Sequence, residues 1–193
     1  MKKLILASAS PRRKQLLKQI GLEFEILPSD IDEKLNPRLK PLHQVESLSL
    51  QKAQATAAMK QAKGAIILAA DSMVAIDDEI MGKPKDEKDA KRMLRKLSGR
   101  VHSIVTGFTL LDTTTKKTVT RSVEVKVWFK KLSSLEITAY VKKAKPFDKA
   151  GAYGIQDLAA IFVEKIDGDY QGAVGLPLHS LAKELKKFGI KVL

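Results

Sequence analysis

The stretch Leu4-Ile5-Leu6-Ala7-Ser8-Ala9-Ser10-Pro11-Arg12-Arg13 decides how the chain is read. Four apolar residues predict a buried strand. The small, hydroxyl-rich residues after them predict a short loop, and Ser10-Pro11 is a cap followed by a first helical residue. The helix continues through Leu16, Leu17 and Ile20 and stops at Gly21. Two arginines therefore fall in its first turn, where the helix already carries partial positive charge. An anion bound there removes the conflict. Free backbone N–H groups, the hydroxyls of Ser8 and Ser10, and the guanidinium groups of Arg12 and Arg13 together suit a phosphate. A solvated first turn with basic residues by chance is the plainer alternative.

Outward from this start, strands and helices alternate. Leu22, Phe24 and Ile26 alternate with charged residues and predict a strand with one buried face. An acidic loop, Pro28 to Glu33, follows. Residues 41 to about 60 predict a long helix with Leu42, Val45, Leu48 and several alanines inside. Residues 65–70 form a continuous apolar run, read as a fully buried central strand that ends at Asp71. Residues 73–76 and 79–81 flank Asp77-Asp78 as a hairpin. Asp86 opens a helix that buries Ala90, Met93, Leu94 and Leu97 and ends at Gly99. Residues 101–111 and 118–129 predict two long strands joined by a threonine- and lysine-rich turn. Ser133 to Glu136 is a capping box opening another helix. Residues 161–163 read as a strand, and Leu178, Leu181, Leu185 and Phe188 as a closing helix. The fold class is α/β, of mixed α+β type: a curved mixed sheet flanked by helices, in one domain of two lobes over residues 1–193.

Composition narrows the function. The chain has no cysteine, so any metal is held by oxygen or imidazole ligands. Its net charge is +13, but only seven of its 35 basic residues are arginine and the lysines are scattered. With ten aromatic residues and no basic block interleaved with them, most of this charge reads as solvated surface, and nucleic acid is a disfavoured partner. The start resembles a signal peptide only faintly, since Pro11-Arg12-Arg13 interrupts a short apolar run. No run spans a membrane, so the expected location is cytoplasmic.

Single residues carry little by themselves. Asp71, at a strand end, is placed where open sheets hold ligands, though aspartates often end strands. Glu33 lies in the acidic loop. Lys52 sits mid-helix near the packed side, where a snorkelling lysine is equally at home. Gly82-Lys83-Pro84 is a tight turn presenting Lys83. If brought together, the two carboxylates suit Mg²⁺ or Mn²⁺ and the cations suit phosphate oxygens. Residues 148–156 (Asp-Lys-Ala-Gly-Ala-Tyr-Gly-Ile-Gln) combine small residues with Tyr153 and Gln156. Such a stretch lets backbone approach a ligand, and a glutamine amide both donates to and accepts from a base.

With these segments taken together, the chain resembles the Maf family of nucleoside triphosphate pyrophosphatases over nearly its whole length. The matching pieces are residues 6–13, Lys52-Ala53, Ala70-Asp71-Ser72, Gly82-Lys83-Pro84, residues 93–99, 148–156 and Gly175-Leu176-Pro177. The resemblance implies an elongated fold with a sheet-lined central cleft, similar to inosine triphosphate pyrophosphatases. It implies hydrolysis of a nucleoside triphosphate to monophosphate and pyrophosphate with a divalent cation, Mg²⁺ or Mn²⁺. It puts the general base on Asp71, the metal on Glu33 and Asp71, and the triphosphate on Ser8, Ser10, Arg12, Arg13, Lys52 and Lys83. Arg12, Ser72 and Gln156 match the base-reading positions of the dTTP/UTP branch, with Ser72 replacing that branch's usual threonine. The implied role is nucleotide-pool house-cleaning, with a family link to septum formation that no residue here explains. A basic nucleic-acid-binding protein or a division regulator that retains a nucleotide site is the rival reading. The oligomer stays open, a homodimer being one of the states allowed.

Overall fold

The apolar run at residues 65–70 forms the middle of a seven-stranded mixed sheet, seen in a computed structural model that describes residues 2–77 and 79–192. The strands in chain order are β1 (Leu4–Leu6), β2 (Glu25–Ile26), β3 (Ile66–Ile76), β4 (Glu79–Met81), β5 (Val101–Asp112), β6 (Thr118–Phe129) and β7 (Val163–Asp167). Their order across the sheet is β2-β1-β3-β5-β6-β7, with β4 also paired to β3. β1 runs parallel to β2 and β3, and the remaining pairs are antiparallel. Parallel pairing at one end and a long ribbon at the other give the mixed class expected.

The helices are α1 (Pro11–Gln19), α2 (Pro41–Ala57), α3 (Glu87–Leu97), α4 (Ser134–Ala144), α5 (Tyr170–Val174) and α6 (Leu178–Lys187). Alternation along β3 divides the core. Ile67, Ala69 and Met73 face α2, where Val45, Leu48 and Ala53 cover them. Leu68, Ala70 and Val74 face the opposite layer, packed with Leu17 of α1, Leu94 of α3, Ile137 of α4 and Leu181 of α6. A strand covered on both faces reads as a continuous apolar run. The capping box at Ser133 and Glu136 is formed, and Asp86 caps α3 through the Asp89 N–H.

Several boundaries differ from the sequence reading. β3 does not end at Asp71 but continues to Ile76. β5 pairs with it from Ile66 to Ala75, and these backbone hydrogen bonds carry the strand through the polar pair Asp71-Ser72. The strand expected around Leu22, Phe24 and Ile26 shrinks to two residues, because β1 offers only Ile5 and Leu6 as partners. Leu22 and Phe24 instead pack on the core from irregular backbone. Residues 158–162 form a 3-10 turn, and the strand begins at Val163. A short apolar run does not by itself separate strand from helical turn. The long helix ends at Ala57, three residues early, and a 3-10 turn covers Lys60–Ala62. The 77–78 hairpin turn includes Asp78, which lies outside the described residues.

Gly107 of β5 sets how closely α2 lies on the sheet. A Cβ there would stand 2.7 Å from the Val45 carbonyl carbon, 2.8 Å from its oxygen and 2.9 Å from the Glu46 nitrogen. Backbone cannot swing aside as a side chain does. Gly107→Ala should therefore cost about 1–3 kcal/mol of stability, the usual scale of overpacking. Urea unfolding at neutral pH measures it, and a variant as stable as the parent would show that α2 slides freely.

Candidate active site

A gap in the sheet creates the site. β1 pairs with β3 only as far as Leu68, and β4 takes up the same edge from Val74 onwards, β5 occupying the other edge. Between these two points no strand among the described residues pairs with that edge of β3. Asp71 and Ser72 sit in that gap and point to opposite faces.

On the α2 face, Lys52 bridges two carboxylates. Its Nζ lies 2.5 Å from Asp71 Oδ1 and 2.9 Å from Glu33 Oε1. Helix periodicity brings Lys52 over the strand, next to the close approach that Gly107 permits. The lysine is therefore more than a snorkelling side chain: its ammonium is held by two anions. Asp71 is nearly buried, whereas Glu33 comes from the loop and is half-exposed.

On the other face, Arg13 holds three segments together. Its Nη1 donates to Ser8 Oγ at 3.1 Å, its Nη2 to Ser72 Oγ at 3.2 Å and its Nε to the Gly175 carbonyl at 3.0 Å. Burial lowers the pKa of the guanidinium, and Asp71 and Glu33 oppose that by raising it. Arginine remains a cation throughout. Ser10 takes the cap position of α1, but its side chain makes no cap hydrogen bond. Its N–H donates to Ser8 Oγ instead, at 3.2 Å. The first turn of α1 therefore keeps a free hydroxyl beside the cleft.

These groups line one cleft of about 750 Å³. Ser8, Ser10, Arg12, Arg13, Glu33, Lys52, Asp71, Ser72, Lys83 and Gln156 all border it, so every candidate residue named from sequence reaches the same space. A volume of this size suits a nucleotide. Arg12 stands at the mouth, with its Nη1 3.9 Å from Asp148 Oδ2, and Asp148 also pairs with Lys149 at 2.8 Å. Sequence reasoning passed over this pairing, as it did Gly107 and the Gly175 carbonyl. The first joins the first turn of α1 to a distant loop, and the others lie in apolar or backbone contexts that carry no chemical signal.

The donor set also bears on a metal. Among the described residues no three His, Cys, Asp or Glu side chains are grouped to hold one. Glu33 and Asp71 supply two hard oxygen ligands sharing one cation. That arrangement fits a divalent ion whose remaining positions are filled by phosphate oxygens and water.

Tyr153, which lines the cleft, is fixed from below by His102, with Nε2 2.6 Å from the tyrosine oxygen. Burial pushes the histidine pKa down to about 4 and raises that of the tyrosine. The folded histidine thus binds its proton more weakly than the unfolded one. Its stabilising contribution is complete above the ordinary value of 6.5 and is lost as pH falls towards 4. Between pH 7.5 and 5 the parent should lose about 2 kcal/mol of stability through this group. His102→Gln should flatten that part of the profile in urea titrations, and an unchanged slope would assign the loss to other groups.

The comparisons with known proteins identify the family. The family model described as Maf-like protein matches residues 3–188. A dTTP/UTP pyrophosphatase of Citrifermentans bemidjiense is 48% identical over 186 residues, which is 96% of this chain and 95% of that one. A protein of the same name from Acetivibrio thermocellus is 49% identical over 198 residues, covering 100% of this chain and 98% of its own. Among solved structures, the Staphylococcus aureus Ham1 protein matches 66% of this chain and 72% of its own at 16% identity, with a TM-score of 0.47, too loose a likeness to argue from. Nearly half of all positions are shared along the full length of these relatives, and on that ground the chain belongs to the Maf family.

Proposed function

We propose that this protein hydrolyses pyrimidine nucleoside triphosphates, dTTP and UTP first among them, to the monophosphate and pyrophosphate. Residues 1–193 act as one domain around the cleft. The observation that carries the reading is Asp71, placed in the sheet gap with the Lys52 ammonium on one face and the Arg13 guanidinium on the other. Water attacks the α-phosphorus and gives its proton to the Asp71 carboxylate. The bond from the α-phosphorus to the bridging oxygen breaks, and pyrophosphate leaves with the electron pair. Lys52, Arg13, Arg12 and Lys83 neutralise the charge that develops on the phosphate oxygens, and the hydroxyls of Ser8 and Ser10 hold them in place. Glu33 and Asp71 would hold a divalent cation, Mg²⁺ or Mn²⁺, which supplies further charge neutralisation when bound. Gln156, on the cleft wall, suits the donor and acceptor edge of uracil or thymine.

The dTTP/UTP pyrophosphatases that share nearly half its sequence support this choice of substrate. No helix among the described residues is long and apolar enough to cross a membrane. A cytoplasmic nucleotide-pool role suits such a substrate. The test is a panel of dTTP, UTP, dCTP, dATP, dGTP and 7-methyl-GTP with each metal, assayed separately for pyrophosphate and for single phosphate. One pyrophosphate per monophosphate, fastest with dTTP and UTP, is expected. Release of single phosphate, or a purine preference, would overturn the reading.

A further inference from the structure

The segment that carries Glu33 into the cleft is tied down by a side chain that the proposed chemistry leaves unused. Residues 27–40 join β2 to α2 without a strand or helix of their own. Among the described residues, Lys34 is the only one between Pro28 and Leu35 whose backbone hydrogen-bonds to another part of the chain. Its partner is Gln51 of α2. The Lys34 N–H donates to Gln51 Oε1, and Gln51 Nε2 donates back to the Lys34 carbonyl, each at 3.2 Å. One side-chain amide thus meets this backbone as a neighbouring strand would. Nε2 also donates to Ser47 Oγ, 3.2 Å away and one helical turn earlier, which fixes the orientation of the amide. Gln44, two turns before Gln51 on the same face of α2, repeats the device: its Oε1 accepts the Asn36 N–H at 3.0 Å.

This tie decides where Glu33 stands. Gln51 and Lys52 are consecutive in α2, and Glu33 and Lys34 are consecutive in the loop. The two pairs meet, Gln51 on the Lys34 backbone and Lys52 Nζ 2.9 Å from Glu33 Oε1. The ion pair is a weak anchor by itself. Glu33 is half-exposed, and Lys52 has a closer anion in Asp71, at 2.5 Å. Exposed ion pairs contribute little, while ordering a loop costs conformational entropy. The backbone clamp supplies what the carboxylate alone does not. Gln51 does not itself border the cleft, so anything it does for the reaction passes through Glu33.

We propose that Gln51 is the positioning residue for Glu33: its amide clamps the Lys34 backbone and so keeps the Glu33 carboxylate in the cleft beside Asp71, ready to share a divalent cation with it. The inference rests on the triphosphate reading above. A ligand group ordered in advance does not have to be ordered when the ion arrives. Loosening the clamp therefore raises the metal concentration the protein needs and leaves the chemistry at saturating metal unchanged.

The experiment uses Gln51→Met, which keeps the length of the side chain and removes both rungs of the clamp. The Mn²⁺ concentration for half-maximal dTTP turnover should rise about tenfold, the scale of a lost pair of hydrogen bonds, with kcat at saturating Mn²⁺ close to that of the parent. The same substitution in a Glu33→Gln background separates positioning from a general structural effect. With no carboxylate to place, it should leave the Mn²⁺ requirement of that background unchanged, whereas independent effects add. In the free protein, without metal or nucleotide, hydrogen exchange at the Lys34 amide should become faster in Gln51→Met. Gln51 is only half-buried, and the melting temperature should stay within a few degrees of the parent. An unchanged Mn²⁺ requirement, an equal rise in both backgrounds, or an unchanged Lys34 exchange rate overturns the proposal and leaves the functional reading standing. A parent protein that releases no pyrophosphate from any triphosphate overturns the functional reading, and this inference with it.

Discussion

Asp71→Asn is expected to lower turnover by about 10²–10⁴-fold, the contribution of a positioned general base. Asparagine preserves the shape of the side chain and still accepts a hydrogen bond from Lys52, but it does not take up a proton at neutral pH. The Lys52 ammonium keeps Glu33 as its anionic partner, 2.9 Å away. It is therefore not left as an uncompensated buried charge, the situation that makes broken ion pairs expensive. The melting temperature should move by only a few degrees, since mutations without cavity, strain or orphaned charge have small effects. Single-turnover pyrophosphate release and thermal unfolding on the same preparation separate the two quantities. Activity within tenfold of the parent would take Asp71 out of the proton-transfer step.

The second large effect is expected at Arg13. Arg13→Ala removes three hydrogen bonds that join α1, β3 and the turn after α5. Each charge-assisted bond contributes about 1.5–3 kcal/mol where both partners are sequestered. Removing them together with a phosphate-facing cation should lower kcat/KM by roughly 10²-fold or more and also lower the melting temperature. Arg13→Lys is the sharper comparison. It keeps the charge and loses the planar fork that reaches Ser8, Ser72 and Gly175 at once. We expect it to recover less than about tenfold of the alanine loss. A lysine variant at the parent rate would mean that charge alone matters, and the geometry of the clamp would be irrelevant.

Much of this was legible in the chain itself. The strand–loop–helix at residues 4–20, the buried central strand, the capping box at Ser133 and the amphipathic α3 and α6 follow from local rules: period, caps and turn residues. Those rules depend on neighbours a few positions apart, so sequence contains them. The charge conflict at Arg12 and Arg13 is itself a property of the sequence, and it points to an anion. The motif pieces, taken in order, were sufficient to name the residues that border the cleft.

Other features depend on partners that are far apart in sequence. β3 continues past Asp71 because β5 pairs with it across the polar residues, and that pairing sets Asp71 and Ser72 on opposite faces of an uncovered edge. The expected strand at Leu22 to Ile26 shortened because its neighbour β1 is short. Glu33, Lys52 and Asp71 meet only once α2 is laid against Gly107. Local pattern determined which residues form helices and strands and which carry charge or hydroxyl groups. Tertiary structure alone decided which of them touch, because hydrogen bonds and ion pairs act over about 3 Å of space, whatever the separation along the chain.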